Sequence, residues 1–468
     1  MIFRLFSLWL LVTFSGPAMA DPSPMENHPI LDLSSEWVGY LCLVIFIGTL
    51  LVVVVEEFTL LRKSKPMLLA AGLMWGLIAW AYSQRGIEHI VEAAFRENFL
   101  VYIEILLFML VVITYVNALR QRGLFQWMAC GLGERGYSYR RIYWSIGLLC
   151  FSVSPWVDNL ATAIFFAALL LTIARESPRV VTLGCVHIVV AANAGGVFSG
   201  FGDVATLLVW RANLTTHQGA LDLLALSRLF LPALVSYLLS AWLIGRALPD
   251  GHLRTRPKRA SCKQGTGFIL LLFLITLLMA VAARKFLHLP AVLGMMSGLS
   301  LLMFYGYTLR MRETHLPDVN QPFDIVKSIA GAEWNSLLFL YGVIACSGAL
   351  AFIGYLPRFG AQLYQSPGGA TLANIGVAGL SAILDNIPVQ NVLLTMHPHM
   401  SLGQWLLAIF SAGTGGSLLS IGSTAGVGLM GLVGNRYTFF GHLRWLPAIL
   451  TGYFAGVLTH FLVNGRFF

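Results

Sequence analysis

Long apolar runs recur along most of this 468-residue chain, and they restrict its fold more than any other feature. They lie near 37–56, 66–83, 99–118, 142–174, 180–210, 229–248, 266–283, 289–308, 334–353, 372–396, 404–432 and 445–463. Most have the length that a helix needs to cross a bilayer. With 57% hydrophobic and 11% charged residues, the composition excludes a soluble enzyme and a disordered regulator. Because the runs are continuous rather than alternating, the sequence predicts an all-α polytopic membrane protein and not a β-barrel.

The first twenty residues have the pattern of a secretory signal peptide. Arg4 precedes a short apolar stretch, and the small residues Ala18 and Ala20 suit cleavage after Ala20. An uncleaved first helix is the alternative. The acidic, Pro-rich start of segment 21–98 would then form a short outer tail before the first two transmembrane helices.

Four of the apolar runs contain helix breakers. The breakers are Ser154-Pro155, the stretch from Asn193 to Gly202, the stretch from Asp385 to Pro388, and the tetrapeptide Gly413-Thr414-Gly415-Gly416. Interrupted helices at membrane depth are tolerated only where the backbone is buried in protein or lines a cavity. The breaks therefore indicate a transport site.

The distribution of Lys and Arg favours two re-entrant hairpins. With residue 37 outside and every run crossing, the cations divide almost equally, 15 inside and 14 outside. If 142–174 and 372–396 enter and return on the same side, 21 cations lie inside and 8 outside. The positive-inside rule favours the second topology, which puts the basic loop 254–263 in the cytoplasm. It explains the net charge of +9 without nucleic acid as a partner.

Two stretches of the chain resemble each other. Each has a Glu before Leu-Leu-Phe, then an Asp-Asn pair, then a glycine-rich tetrapeptide. These are Glu104, Asp158-Asn159 and 193–196 in the first stretch, and Glu333, Asp385-Asn386 and 413–416 in the second. In the hairpin topology the two units have opposite orientation, as in many secondary transporters. The sequence predicts inverted repeats over 99–248 and 333–468, joined by the basic loop and connecting helices of 249–332.

The hairpins and broken helices divide the repeats further. The first repeat has the hairpin 142–174 and the broken helix 180–210, and the second has the hairpin 372–396 and the broken helix 404–432. Glu104 and Glu333 lie near helix entrances, where a boundary or packing role is favoured over a proton relay.

Three aspartates, Asp158, Asp203 and Asp385, lie inside otherwise apolar runs. An ionised carboxylate is expensive there, so such residues usually serve ion or proton traffic. Each lies beside a break that frees backbone carbonyls, and carboxylate plus neutral oxygens suits a cation such as Na⁺. A proton and a cation would compete for the same carboxylate. The alternative is that each Asp caps a half-helix.

Polar side chains accompany the aspartates. They are Ser154, Asn159, Thr162, Asn193, Ser199, Thr206, Asn386, Ser417, Ser420 and Ser423. A hydroxyl can instead bond back to the helix backbone. The helix-break glycines Gly195, Gly196, Gly415 and Gly416 suit tight breaks or, equally, close packing. His187 is expected to be a buried structural residue, and the six cysteines free thiols without a metal cage.

A four-residue match raises one different class of protein. Residues 200–203 read GFGD, which fits the GxGD pattern of intramembrane aspartyl proteases. Such an enzyme needs a second Asp that shares a proton with the first. The protease hypothesis leaves the duplicated Asp-Asn motif unexplained, so it stays a remote alternative.

Several blocks together resemble the NhaD-type sodium/proton antiporters of the ion transporter superfamily. The blocks are SPWVDNLAT (154–162), IVVAANAGGVFSGFGDVATLLVW (188–210), EWNSLLFLYGVIACSGAL (333–350), LSAILDNIPV (380–389) and AGTGGSLLSIGSTAGVGLMG (412–431). The resemblance implies a bacterial inner-membrane carrier that exports Na⁺ or Li⁺ against entering protons. It also implies two re-entrant hairpins, homodimers and elevator-like movement. We expect no cofactor. Ion-site roles would fall on Asp158, Asn159, Asn193, Asp203, Thr206, Asp385, Asn386, Ser417, Ser420 and Ser423.

The chain departs from that family pattern at several places. Only the second Thr remains after each acidic motif, as Ala161-Thr162 and Ala205-Thr206; Gly200 replaces an expected Pro, Gln390-Asn391 replace apolar residues, and His187 replaces an Asn. These changes bear on cation choice and affinity. An anion carrier of the same architecture, for dicarboxylate or arsenite, is the second hypothesis, although three buried carboxylates would repel such a substrate.

Overall fold

The computed structural model describes residues 32–54, 61–124, 127, 138–174, 177–212, 214–251, 263–314, 323–332, 334–364, 369–396 and 398–468. The predicted signal peptide, Cys130, Cys262, Glu333 and nearly all of the basic loop lie outside these residues.

The described residues are almost entirely helical, which confirms the all-α prediction. In chain order the helices are α1 (Trp37–Val54), α2 (Ser64–Ser83), α3 (Glu88–Gln121), α4 (Tyr139–Val153), α5 (Asn159–Ile173), α6 (Pro178–Gly196), α7 (Val204–Arg211), α8 (Leu223–Ser227), α9 (Phe230–Gly245), α10 (Thr266–Phe286), α11 (Ala291–Thr314), α12 (Ile325–Ala330), α13 (Trp334–Phe352), α14 (Tyr355–Tyr364), α15 (Gly369–Leu384), α16 (Asn386–Thr395), α17 (Leu402–Gly415), α18 (Thr424–Val433), α19 (Phe439–Leu443) and α20 (Leu446–Asn464). One short 3₁₀ turn, Gly434–Arg436, lies between α18 and α19, and a second, Gly465–Phe467, follows α20. Strands β1 (Thr215–Thr216) and β2 (Gly219–Ala220) form a minimal antiparallel hairpin.

Among the described residues, eight helical segments are long and apolar enough to cross a membrane. Their outer surfaces carry large apolar side chains, as a lipid-facing helix requires. On α10 and α11, for example, Leu278, Phe286 and Phe304 are 68%, 73% and 71% exposed. The chain is therefore a multi-pass membrane protein.

Each of the four runs with breakers is two helices, as predicted. The pairs are α4 with α5, α6 with α7, α15 with α16, and α17 with α18, and the breaks between them cover 154–158, 197–203, residue 385 and 416–423. Proline at 155 removes a backbone donor and ends α4. The break in α17–α18 begins at Gly416, the last residue of the predicted tetrapeptide 413–416, because the helix continues through Gly415.

The predicted apolar runs leave out the first turns of α3 and the short helices α8, α12, α14 and α19. Helix α3 begins at Glu88, eleven residues before the predicted run. The prediction missed this part because the first turns of α3 are amphipathic and not continuously apolar. Helix α14 has polar residues between its apolar ones, so its sequence is not a continuous apolar run.

Two packing patterns bring the half-helices together. Helix α4 packs on α6 and α15 on α17, so each hairpin lies along its own broken helix. The second halves then cross over, because α5 packs on α18 and α7 packs on α16. The half-helices that begin after the four breaks therefore form two packed pairs, α5 with α18 and α7 with α16. A separate apolar core holds α1, α2 and α13 together.

Candidate cation-binding site

The four crossing half-helices have polar N-caps. The side chains of Asp158, Asp203 and Asp385 accept from the backbone N–H of Ala161, Ala205 and Asn386 at 3.3, 3.4 and 2.9 Å. Ser423 accepts from the N–H of Gly426 at 3.3 Å in the same way. The capping contacts considered as an alternative therefore exist. They use only part of each carboxylate's hydrogen-bonding capacity, since a carboxylate has about four acceptor positions.

Asp203 is the centre of a buried polar network and is 4% exposed. Its Oδ1 accepts from Nδ2 of Asn386 at 2.9 Å and from Nδ2 of Asn159 at 3.4 Å. The asparagines of the two Asp-Asn motifs thus donate to the same oxygen. Nδ2 of Asn159 also lies 3.2 Å from Oδ1 of Asn193, and Nδ2 of Asn193 donates to Ser423 at 2.9 Å. Five of the predicted site residues form one connected set.

Three oxygens in this region are buried without a hydrogen-bond partner among the described residues. They are Oδ2 of Asp203, Oδ1 of Asn386 and Oγ of Ser420. An unpaired buried carboxylate oxygen carries a large desolvation penalty, so it points to a ligand. Carboxylate, amide and hydroxyl oxygens are the hard donors that a cation such as Na⁺ prefers.

Asp385 differs from Asp203 in the use of its second oxygen. Its Oδ1 caps α16, and its Oδ2 accepts from Nζ of Lys63 at 2.6 Å. The backbone φ of Asp385 is 77°, a left-handed value that is uncommon for a residue with a side chain. Sequence analysis missed Lys63, because it lies 322 residues away, at the start of α2.

The three aspartates do not form one cage. No group of three acidic, His or Cys side chains within the described ranges is arranged to hold a metal ion. Asp158 is half-buried at the start of α5, whereas Asp203 and Asp385 are 4% and 3% exposed. The backbone N–H of Asn159 donates to the carbonyl of Gly202 at 3.1 Å, which holds the first Asp-Asn motif beside Asp203.

Several predicted hydroxyls donate to backbone carbonyls instead of facing an empty space. The contacts are Thr162 to Val157 at 3.0 Å, Thr206 to Val197 at 3.5 Å, Ser417 to Thr414 at 2.6 Å, Ser154 to Ala192 at 2.6 Å and Ser199 to Pro155 at 2.6 Å. These bonds tie down backbone that the breaks release from helical pairing.

The predicted break glycines lie at helix ends where hairpin and broken helix touch. Gly195 and Gly196 are the last residues of α6, and Gly416 follows the last residue of α17. A Cβ at Gly195 would lie 2.5 Å from the carbonyl oxygen of Phe151, and one at Gly415 would lie 2.5 Å from Cα of Ala378. Both positions therefore require glycine for close packing. The non-helical part of each break is formed by the residues that follow them.

His187 is buried against aromatic rings, as expected for a structural residue. It stacks on Tyr143 with ring centroids 3.8 Å apart, and its Nε2 lies 3.0 Å from the hydroxyl of Tyr237. The described cysteines Cys42, Cys150, Cys185 and Cys346 are free and buried.

The unexpected amides on α16 have different surroundings. Nδ2 of Asn391 donates to Oγ of Ser347 on α13. Gln390 is fully buried, and neither end of its side chain has a partner among the described residues. It lies one helical turn after Asn386, and therefore on a similar face of α16.

A cavity of about 800 Å³ opens between α3, α7 and α10. In its wall, Glu104 pairs with Arg211 at 2.7 Å, and Arg284 lies over the ring of Trp210 at 4.6 Å. Leu207, one turn after the Asp203 cap, also lines it. The pairing of Glu104 joins α3 to α7, in agreement with the expected packing role.

Comparisons with known proteins identify the family and several relatives of this chain. A family model described as "Citrate transporter" matches residues 33–413. The "Na(+)/H(+) antiporter NhaD" of Alkalimonas amylolytica is 43% identical over 98% of this chain and 96% of its own length. The protein of the same name from Vibrio cholerae is 42% identical over 98% of both chains. "Sodium/proton antiporter 1" of Arabidopsis thaliana is 27% identical over 78% of this chain and 62% of its own.

The matches are transporters and not enzymes, and the two NhaD relatives match nearly the whole chain. Together with the apolar helices, they make this chain a multi-pass protein of the bacterial inner membrane. The chain belongs to the NhaD antiporter family, within the larger citrate-transporter family.

Proposed function

We propose that this protein is a secondary transporter that exchanges cytoplasmic Na⁺ or Li⁺ for external protons. One observation carries the proposal: Asp203 is buried where half-helices meet, and its Oδ2 has no hydrogen-bond partner among the described residues. The names of the relatives at 42–43% identity support the same exchange. The transported ions are substrates, and the exchange requires no cofactor.

In this proposal Oδ2 of Asp203, Oδ1 of Asn386 and Oγ of Ser420 are ligands of the cation. Oδ2 of Asp385, which pairs with Lys63 in this structure, is a further ligand once that pair opens, and Asp158 flanks the site and contributes negative charge. Cytoplasmic Na⁺ displaces protons from the carboxylates, because the two cations compete for the same oxygens. The loaded half-helices then move, and protons from outside displace Na⁺. Thr162, Thr206 and Ser417 keep the breaks in shape, and Asn159, Asn193 and Ser423 orient Asp203.

The second candidate is an anion carrier, and the citrate-transporter family match is the observation that favours it. Helix N-termini attract anions, and four of them meet in this molecule. Three of these N-termini already carry an Asp. Because the caps supply the negative charge from the protein, a further anion would be repelled, and a cation is the better fit.

A GxGD protease is a poor fit to the same geometry. The hydrogen-bond partners of Asp203 are amide groups, and Oδ2 of Asp385 accepts from Lys63. A proteolytic dyad needs two carboxylates that share one proton.

We further propose that the two repeats are inverted, that α4–α5 and α15–α16 are re-entrant hairpins, and that the protein acts as a homodimer in the lipid bilayer. Helix α15 has 16 residues and is about 24 Å long, so a hairpin that enters from outside would reach far toward the cytoplasm. Lys63, at the predicted cytoplasmic end of α2, contacts its tip. We also propose that the signal peptide is cleaved after Ala20.

The test is proton movement in everted membrane vesicles of a host that lacks its own antiporters. After energisation, Na⁺, Li⁺, K⁺ or citrate is added at several pH values. We expect Na⁺ and Li⁺ to dissipate the pH gradient, and Asp385→Asn protein at equal amount to give no response. A response to citrate and not to any cation would replace this proposal with the anion carrier.

A further inference from the structure

Lys63 and Asp385 form an ion pair that is largely removed from water. Nζ of Lys63 lies 2.6 Å from Oδ2 of Asp385, and the side chains are 12% and 4% exposed. The same ammonium lies 4.4 Å from the centre of the Phe339 ring. A cation held between a carboxylate and an aromatic face is well compensated.

The partners belong to different parts of the fold. Lys63 precedes α2, which is fixed to α13 by the shared apolar core and by a bond from Nε1 of Trp75 to the carbonyl of Ala345 at 2.8 Å. Asp385 begins α16, whose hairpin is fixed to α17 by a bond from Ser381 to the carbonyl of Ala412 at 2.6 Å. The ion pair therefore connects α2 to the N-terminus of α16, in addition to the packing of α16 on α13 and the bond from Asn391 to Ser347.

The ammonium occupies the oxygen that a transported cation would need. Oδ1 of Asp385 already accepts from the backbone N–H of Asn386. Oδ2 is the oxygen with capacity for a strong cation contact, and Lys63 takes that position. Two cations 2–3 Å from one oxygen in a poorly solvated place would repel each other strongly. A metal cation can contact Oδ2 only if Lys63 withdraws.

We propose that Lys63 is a tethered cation that occupies Asp385 while the site is empty and competes with Na⁺ for it. When Na⁺ contacts Oδ2, the ammonium moves to water and the hairpin tip is released from α2. One cation replaces another at Asp385, so the local charge is unchanged by the exchange. This inference rests on the proposed Na⁺ site. It makes Lys63 a positioning residue that links the loading of the site to the freedom of the hairpin to move.

The first test compares variants in their affinity for Na⁺. Purified protein is titrated with NaCl at constant ionic strength with choline chloride, and its melting temperature reports binding. We expect Lys63→Gln to lower the half-saturating Na⁺ concentration about tenfold, because the competitor is gone. Lys63→Arg should stay within about threefold of the wild type. Lys65→Gln removes the same charge from an exposed position two residues away and should change nothing.

A second test uses the wild-type protein and does not depend on the folding of a variant. An amine-reactive reagent is applied with Na⁺ or with choline, and the modified lysines are quantified by mass spectrometry. We expect Na⁺ to raise the modification of Lys63 several-fold and to leave Lys65 unchanged.

The outcomes separate this inference from the function on which it rests. If Na⁺ does not stabilise the wild type at all, the proposed Na⁺ site is wrong. If Na⁺ stabilises the wild type, but Lys63→Gln binds it no more tightly than Lys65→Gln does, the role given to Lys63 is wrong. Modification of Lys63 that is unchanged or decreased by Na⁺ would contradict it in the same way.

Discussion

The two most buried aspartates among the described residues, Asp203 and Asp385, use one carboxylate oxygen alike and the other differently. Oδ1 of Asp203 and Oδ1 of Asp385 each accept from the N-terminus of a half-helix. The second oxygen of Asp203 has no partner among the described residues, whereas the second oxygen of Asp385 accepts from Lys63. Capping therefore explains the position of both carboxylates but only part of their chemistry. The second oxygen of Asp203 is therefore available to a transported cation, whereas the second oxygen of Asp385 already binds the ammonium of Lys63.

The largest expected effect comes from removing the charge of Asp203 while keeping its cap. Asparagine caps a helix about as well as aspartate, so Asp203→Asn preserves the local fold. We expect Na⁺-dependent proton movement in everted vesicles to fall at least about hundredfold, equivalent to about 2.7 kcal/mol. Asp222→Asn, at the exposed N-cap of α8, is the matched control and should retain full activity. Full activity in Asp203→Asn would leave capping as the whole role of that residue.

The same substitution at Asp385 should have an additional consequence for stability. Asp385→Asn is expected to abolish exchange and also to leave Lys63 with a nearly buried positive charge and no carboxylate partner. Removing one partner of a buried ion pair typically costs about 3–5 kcal/mol, and less where the charge can reach water. The melting temperature without Na⁺ should therefore fall in Asp385→Asn but not in Asp203→Asn. Equal melting temperatures would contradict the difference drawn between the two carboxylates.

The asparagines that donate to Asp203 provide a finer comparison. Asn386 donates at 2.9 Å and offers an unpaired Oδ1, whereas Asn159 donates at 3.4 Å. A hydrogen bond to a charged group contributes about 1.5–3 kcal/mol, so Asn386→Ala should raise the half-maximal Na⁺ concentration more than about tenfold. Asn159→Ala should raise it less. The Na⁺ concentration dependence of vesicle exchange measures both, and the reverse order would remove Asn386 from the ligands.

The smallest expected effect separates two hydroxyls in the same break. Oγ of Ser420 has no partner among the described residues, whereas Oγ of Ser417 donates to the carbonyl of Thr414 at 2.6 Å. Ser420→Ala should therefore weaken apparent Na⁺ affinity a few-fold without loss of stability. Ser417→Ala should leave Na⁺ affinity within about twofold and lower stability by about 1 kcal/mol. Parallel Na⁺ titrations and melting curves of the two variants distinguish a ligand from a structural hydroxyl.

Much of the architecture follows from local signals. Pro155 and the glycines of the stretch 197–203 disfavour a continuous helix, so the four broken runs were predictable. The length of α3 was not, because its first turns are too polar to count as an apolar run. The position of the last break also differs from the prediction, since glycines 413 and 415 stay helical and pack against Val197 and Ala378, respectively.

The candidate site was only partly predictable, and the reason lies in the distance along the chain between its members. The duplicated Asp-Asn motifs and Asp203 are visible as polar residues in apolar runs. That both asparagines donate to the same oxygen depends on the crossing of α5 with α18 and of α7 with α16. Lys63 belongs to a loop rich in cations that topology alone explains, so no local signal indicates its pairing with Asp385.

Direct binding of Na⁺ to the purified protein tests the central claim, which is that the second oxygen of Asp203 is a cation ligand. Isothermal titration with NaCl would be carried out on the wild type and on Asp203→Asn, at several pH values. The account predicts saturable binding to the wild type that weakens as the pH falls, because protons compete for the carboxylate, and no binding to Asp203→Asn. Binding of Na⁺ to Asp203→Asn with wild-type affinity would contradict it.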